Sequence, residues 1–171
     1  MNFILIQIFG FIGLFFIVLS FQKNKRSFTL ISQFLASLFF IVHFIFLSAL
    51  TGAAINGLTG LRAIVFNFRE KRWINHWIVV SFFVILFWIA GLLTWQGYLS
   101  LLPPVSVTIS SIALWSKNTK HIRLIFLPSR LPWIIYNFLV DSYAGLATEA
   151  FIVGSLIVAI IRFDVLGKKE D

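Results

Sequence analysis

Two charged residues lie deep inside long apolar stretches, and they are the first candidates for chemistry. Glu149 falls about two helical turns into the last stretch, roughly 10–12 Å from its nearer end. A charge near the middle of a bilayer costs about 2.5–3.5 kcal/mol, so it usually faces a cavity or a partner. Arg130 reaches a similar depth in the preceding stretch and is the expected charge partner. The alternative is that Glu149 only clamps a neighbouring helix.

Arg62 also interrupts an apolar stretch, but it lies nearer the basic end of that stretch. Its long side chain predicts snorkelling toward the headgroups rather than a role in a site. Arg130 could snorkel in the same way, and this reading stays open beside the ion pair.

A second group of residues combines aromatic rings with hydrogen-bonding side chains. His43 follows Phe39 by four positions, and Asn137 follows Trp133 by four. Residues four apart lie on one face of a helix. An aromatic wall and a polar group from each half of the chain would suit a small polar solute that contains a ring. The alternative is that these aromatic residues only pack the interior.

The elements that must position these residues are membrane-spanning helices. Apolar residues make up 60% of the chain, and the mean hydropathy is +0.97. Seven apolar stretches run from about residue 3 to residue 163. A spanning helix needs roughly 20 residues, so seven occupy about 140 of the 171. The sequence therefore predicts an all-α integral membrane protein with seven transmembrane helices.

The basic residues predict the orientation of these helices. Lys and Arg gather in the connections around residues 23–26, 69–72 and 117–123 and after the seventh stretch, at residues 162–169. Positive loops stay in the cytoplasm, so the N-terminus is predicted outside and the C-terminus inside. The net charge of +8 then serves orientation and contact with anionic headgroups. We expect the lipid bilayer, and not nucleic acid, as the partner of this charge.

The chain carries a weak internal repeat. Residues 21–48 align with residues 115–142, and after one skipped residue Gly52 aligns with Gly145 and Asn56 with Glu149. We predict one transmembrane domain, residues 1–171, built from two parallel three-helix repeats (1–69 and 98–171) and a linker helix (70–97), a 3+1+3 arrangement. Parallel repeats occur in transporters that bind solutes near the bilayer midplane. The alternative is convergence, because any protein with this charge pattern has loops that superimpose.

Small residues and prolines predict packing and bends. Ala53/Gly57 and Ala150/Gly154 are small pairs four apart, so the third and seventh helices are expected to pack closely inside the bundle. The fourth helix is rich in tryptophan and is expected to face lipid. Pro103–Pro104 and the pair Pro128 and Pro132 predict kinks in helices five and six. Such kinks are either hinges or static bends.

Enzyme motifs are missing from the sequence. It has no cysteine, no H-E-x-x-H and no G-x-S-x-G. We therefore expect no enzymatic activity, no cofactor and no metal site.

Several residues together resemble a known family. They are His43-Phe44, Gly52-Ala53, Asn56, Arg62, Trp133, Tyr136-Asn137-Phe138, Gly145, Glu149 and Arg162-Phe163. The pattern resembles the bacterial inner-membrane YgjV family, which looks related to SWEET and PQ-loop transporters, PnuC transporters and KDEL receptors. The resemblance implies the 3+1+3 arrangement and a multi-pass protein of the bacterial inner membrane. Asn56 and Trp133 resemble SWEET site residues, whereas Glu149 replaces an asparagine and admits a cationic or proton-linked solute.

Three functions follow as hypotheses. The first is a transporter or facilitator for an unknown small polar solute, with substrate-binding residues Asn56, Glu149, Phe39, Trp133, Asn137 and His43 between the repeats, and Arg130 as charge partner. The second is a receptor-like or accessory membrane protein that uses the same cavity without transport. The third is a structural protein, which predicts a closed Glu149–Arg130 bond and no polar cavity. The sequence leaves the substrate and the oligomeric state open.

Overall fold

The chain is all-helical in the part that the computed structural model describes, which is residues 2–20, 22, 26–68, 77–116 and 118–167. The helices are α1 (Phe3–Ser20), α2 (Arg26–Phe46), α3 (Leu50–Asn67), α4 (Trp77–Leu93), α5 (Leu102–Trp115), α6 (Thr119–Phe126), α7 (Arg130–Leu139) and α8 (Tyr143–Ala159). A 3₁₀ turn (Tyr98–Leu101) precedes α5, and a π-helical segment (Ile160–Val165) follows α8. The all-α prediction is confirmed. Eight basic residues used to predict the orientation, Lys23, Lys25, Arg69, Lys71, Arg72, Lys117, Lys168 and Lys169, lie outside the described residues.

Some of these helices have the length and composition of membrane spans. Three are long and apolar enough to cross a bilayer: Phe3–Ser20, Ser27–Phe46 and Tyr143–Val165. Shorter apolar helices cover Leu50–Val65, Trp77–Leu93 and Tyr98–Leu114. Large apolar side chains cover the outer surface, among them Ile78 and Leu93, which are 76% and 82% exposed. An apolar surface of this extent is stable when it faces lipid.

The helices form a closed ring. α1 packs on α2, α2 on α3, α3 on α5, α5 on α6 and α7, and α7 on α8, which returns to α1. We call the end of the ring where α1, α3, α5 and α8 begin the upper end, and the opposite end the lower end. α4 packs on α3 and α5 from outside the ring, burying Val80, Phe83 and Phe87. Its remaining surface is largely exposed, as expected for a helix that faces lipid.

Two turns at the upper end have the same hydrogen bonds. Ser48, between α2 and α3, has φ 58°, and Asp141, between α7 and α8, has φ 55°. Ala49 N donates to Phe44 O at 2.9 Å, and Ser142 N donates to Asn137 O at 2.9 Å. These bonds resemble the 6→1 bond that closes many helix ends. Corresponding residues in the two turns are separated by 93 positions (141 minus 48; 142 minus 49).

A glutamine binds each of these turns in the same way. Gln7 Nε2 donates to Asp141 O at 2.8 Å, and its Oε1 accepts from Ala144 N at 3.1 Å. Gln96 Nε2 donates to Ser48 O at 2.7 Å, and its Oε1 accepts from Leu50 N at 2.9 Å. Each amide therefore ties the turn to the first residues of the next helix, satisfying a backbone N–H that the helix leaves unpaired.

The prolines lie in the first turns of helices or in the turn between two helices, rather than at kinks inside them. The prediction that Pro103 and Pro104 interrupt helix five is wrong, because they lie in the first turn of α5. Proline is tolerated there, since the first N–H groups of a helix have no partner inside it. Helix six is broken at Pro128, in the turn that separates α6 from α7. Pro132 lies in the first turn of α7, where a proline does not kink the helix.

The small residues of α8 pack differently from the prediction. Ala150 is exposed, and a Cβ added at Gly154 would meet nothing within 4 Å. The close packing predicted for this pair is wrong. Tight contact occurs instead at the start of α8, where a Cβ added at Gly10 of α1 would lie 2.5 Å from Ala144 Cβ. Only the first half of α8 is therefore buried in the ring.

Candidate functional site

A cavity of about 580 Å³ lies inside the ring. Every helix except α4 contributes to its wall. It begins below Phe44, Asn137 and Gly145 and extends toward the lower end, where Thr29 and Leu114 line it. The size is within the range typical of sites for small molecules.

Glu149 and Arg130 lie side by side in the wall of this cavity. Glu149 Oε1 lies 3.9 Å from Arg130 Nη1, and the residues are 6% and 7% exposed. This distance exceeds that of a hydrogen bond. The other carboxylate oxygen, Oε2, is buried and has no hydrogen-bond donor among the described residues. The pair predicted from depth is therefore present, but it is loose, and one oxygen of Glu149 is free to bind another group.

The break in helix six positions Arg130. Leu127–Ser129 form a turn, so Arg130 is the first residue of α7. Its Nη2 donates to Ser129 Oγ at 3.2 Å and more weakly to Ser106 Oγ at 3.5 Å. Its Cζ lies 4.4 Å from the centre of the Phe126 ring, a cation–π distance. The guanidinium is therefore held inside the ring by α5, α6 and the break itself.

Arg62 contradicts the sequence-based prediction. It does not snorkel: it is 7% exposed, lines the cavity and donates from Nη1 to Ser111 Oγ of α5 at 2.5 Å. Its Cζ also lies 5.5 Å from the centre of the Phe87 ring of α4. Depth alone could not separate the two outcomes, because an arginine at this position has the length to reach either the headgroups or the interior.

Two amide side chains line the upper half of the cavity. Asn56 Nδ2 donates to Gly52 O of its own helix at 2.9 Å. Asn137 Oδ1 is buried without a donor among the described residues, and it lies against Gly145, where a Cβ would overlap it. A buried polar atom left unpaired costs about 1–3 kcal/mol. Asn137 Oδ1 and Glu149 Oε2 are thus two acceptors without a donor among the described residues, and both residues line the cavity.

Trp133 supplies the predicted aromatic wall, but Phe39 does not. Trp133 is buried, lines the cavity and packs on Phe44 with ring centres 5.9 Å apart. Phe39 is absent from the lining and stacks instead on Phe16 of α1, with centres 5.5 Å apart. Residues four apart share one face of a helix, but the spacing does not reveal which neighbouring helix packs against that face.

His43 also lies outside the cavity wall, immediately above it. Its Nδ1 is 2.8 Å from Ile6 O, and its Nε2 is 2.8 Å from Ser142 Oγ. A carbonyl only accepts, so Nδ1 carries the proton, and a neutral His43 accepts from the Ser142 hydroxyl. The same hydroxyl caps α8 by accepting from Gly145 N at 3.2 Å. His43 thus links α1, α2 and α8.

Tyr136 links the other side of the ring at the same height. Its hydroxyl accepts from Gly52 N at 2.9 Å, and its ring is 2% exposed. The separation of 93 residues pairs Tyr136 with His43, whereas the sequence alignment pairs Asn137 with His43. We call Gln7, His43, Ser142, Tyr136 and Gly52 the upper layer. Its hydrogen bonds close the ring above the cavity.

Sequence reasoning missed Gln33 and Ser37, which line the cavity from α2. They lie four apart within an apolar helix, and Phe40 continues the same face. That polar spacing was the available signal. The Ser37 hydroxyl donates to Gln33 O at 2.9 Å.

Comparison with known proteins places the chain in a family. The model of the family Imp-YgjV, described as bacterial inner membrane protein, matches residues 4–166. No curated protein and no solved structure matches the chain. The match covers nearly the whole sequence, and the several apolar helices agree with the family's location in the membrane. The chain belongs to the Imp-YgjV family of bacterial inner membrane proteins.

Proposed function

We propose that this protein is a transporter or facilitator for a small polar solute. The observation that carries the proposal is the cavity of about 580 Å³, which polar and charged side chains line inside a membrane-embedded ring. Charged side chains at this depth are costly, so their presence around open space favours a function. A structural protein predicts no such cavity and a closed ion pair, whereas Glu149 Oε1 and Arg130 Nη1 are 3.9 Å apart.

The 3+1+3 arrangement is part of the proposal. The matched turns at Ser48 and Asp141, which share the same backbone hydrogen bond, support two parallel repeats. The position of α4 outside the ring supports its role as a linker. The proposed boundaries are residues 1–69, 70–97 and 98–171, with the upper end on the side of the membrane away from the cytoplasm. This arrangement also supports the resemblance to SWEET and PQ-loop transporters, which we keep as a proposal.

The proposed solute contacts are a subset of the residues inferred from the sequence. Asn56, Trp133, Asn137 and Glu149 line the cavity, with Arg130 as the charge partner. Phe39 and His43 act indirectly in this proposal, by holding α1 and α2 behind the wall. None of these groups is proposed to do covalent chemistry, and the protein is proposed to work without enzymatic activity or a cofactor.

One observation favours the receptor-like alternative. The upper layer closes the cavity with hydrogen bonds from Gln7, His43 and Tyr136, while the cavity extends toward the lower end. A receptor needs access from one face only. A transporter must break these bonds to open the upper end, so the two functions differ in whether the upper layer opens.

Access to the cavity from each face distinguishes these functions. The chain has no cysteine, so Thr59→Cys introduces one thiol into the cavity wall. Tyr98→Cys, at an upper-end residue that is 85% exposed, reports the orientation of each vesicle, and Ile85→Cys places a control thiol on the outer face of α4. A membrane-impermeant thiol reagent is applied to right-side-out and inverted vesicles.

Labelling of Thr59→Cys from both faces would support transport, because the cavity then opens alternately. Labelling from the lower face alone would support the receptor-like function. If Thr59→Cys stays as unreactive as Ile85→Cys from both faces, neither function stands.

A further inference from the structure

The charges around the cavity do not cancel. Arg62, Arg130 and Glu149 are the charged residues in its described lining, which gives a net charge of +1 when all three are ionised. Glu149 lies beside Arg130, 3.9 Å away. Arg62 has no carboxylate within 4.0 Å among the described residues.

The neighbours of Arg62 are neutral. Ser111 Oγ accepts one hydrogen bond, and the Phe87 ring faces the guanidinium at 5.5 Å. A guanidinium has five N–H donors, arranged to bind a carboxylate or phosphate with two parallel bonds. A buried charge is costly unless it is paired. Arg62 is buried, lines the cavity and makes one side-chain hydrogen bond among the described residues, so its other N–H groups offer an anion a set of donors.

The opposite end of the cavity offers acceptors. Glu149 Oε2 and Asn137 Oδ1 are buried and have no donor within the described part of the chain. Both lie on the upper side of the cavity, because Asn137 packs against Gly145, one helical turn before Glu149. Both residues line the cavity, so a hydroxyl or amide N–H on the solute can donate to their side chains. An ammonium group at Glu149 would lie next to the positive charge of Arg130, which is beside the same carboxylate.

Building on the proposed transport function, we infer that the solute is a small organic anion that also carries hydroxyl or amide donors. Its acidic group binds Arg62 near the lower side, and its donors bind Glu149 and Asn137 near the upper side. This assignment replaces the cationic solute that Glu149 alone suggested, because two arginines outweigh one carboxylate and make the net charge of the lining positive.

Matched ligands test this inference on the purified full-length protein. Two sets vary the charge at nearly constant size: glucuronate, glucose and glucosamine, and lactate, lactamide and 1-amino-2-propanol. Binding is measured as the rise of the thermal midpoint with ligand concentration, since a ligand of the folded state stabilises it. We expect the carboxylate of at least one set to bind tenfold or more tightly than its neutral and cationic partners, about 1.4 kcal/mol.

Variants identify the arginine responsible. Arg62→Gln is expected to weaken carboxylate binding about tenfold or more. Arg62→Lys keeps the charge without the planar fork, and it should retain the preference for the anion with weaker binding. Arg162→Gln, at an exposed arginine of the π-helical segment, is the control and should bind as the unmodified protein does.

Three results would overturn the inference. The first is stronger binding of the neutral or cationic member in both sets. The second is the absence of any shift with every carboxylate. The third is stabilisation by phosphatidylglycerol micelles and by no soluble anion, which would assign Arg62 to a lipid headgroup. The labelling of Thr59→Cys tests transport without any solute, so failure of the solute class and failure of transport are distinguishable.

Discussion

A pair of glycine substitutions tests how the ring around the cavity closes. In Gly10→Ala the new Cβ would lie 2.5 Å from Ala144 Cβ and 3.0 Å from the His43 ring. Ala144 Cβ is fixed to the backbone and cannot rotate away, so α1 and α8 must separate. Overpacking of this kind costs about 1–3 kcal/mol. In Gly154→Ala the new Cβ meets nothing within 4 Å.

Both glycines lie inside helices, so the gain in helix propensity from alanine is similar and cancels in the comparison. The free energy of unfolding should therefore be about 1–3 kcal/mol lower for Gly10→Ala than for Gly154→Ala. The measurement is unfolding in mixed micelles with increasing dodecyl sulfate, followed by tryptophan fluorescence. Gly154→Ala alone should be neutral or slightly stabilising.

The opposite ranking would refute the described packing. If Gly154→Ala destabilises the protein as much as Gly10→Ala does, then the second half of α8 packs on another helix. The small pair Ala150/Gly154 would then be an interface after all, as the sequence pattern suggests. In that case the cavity wall on the α8 side would be arranged differently.

Two further substitutions test the hydrogen bonds and charges around the cavity. Tyr136→Phe leaves the Gly52 N–H without its acceptor and should lower the free energy of unfolding by about 1–3 kcal/mol, measured in the same titration. No change would mean that this bond does not close the upper end. Arg130→Gln leaves Glu149 as a buried charge and should lower the free energy of unfolding by about 3–5 kcal/mol. Adding Glu149→Gln should restore part of this loss. Strict additivity in the double-mutant cycle would show that the two groups do not interact.

Helix positions and depths could be predicted from the sequence because they depend on length and hydropathy. The sequence predicts Glu149 and Arg130 at a similar depth, and the two side chains do meet. A helix rises 1.5 Å per residue, so counting residues from an end fixes the height of a side chain. The height of a side chain can therefore be predicted without knowing which helices are its neighbours.

The direction in which a side chain points could not be predicted in the same way. Phe39 was placed with His43 toward a pocket, but it faces Phe16, because only the packing of α1 on α2 decides the orientation of that face. Arg62 was expected to snorkel, and it turns inward because Ser111 of α5 accepts its hydrogen bond. Both outcomes depend on which helices are neighbours, and hydropathy contains no information on that.

The proposed repeat predicts that the proposed solute binds in one orientation. Two equivalent halves would build a cavity that accepts a solute in two opposite orientations. If the separation of 93 residues extends from the turns to the cavity, each charged residue has a neutral counterpart in the other half: Asn56 for Glu149, Ser37 for Arg130 and Ser155 for Arg62. The backbone would then be nearly symmetric while the charge is not. An anion with donors at its other end would bind in a single orientation, because the reversed one would place its acidic group against Glu149.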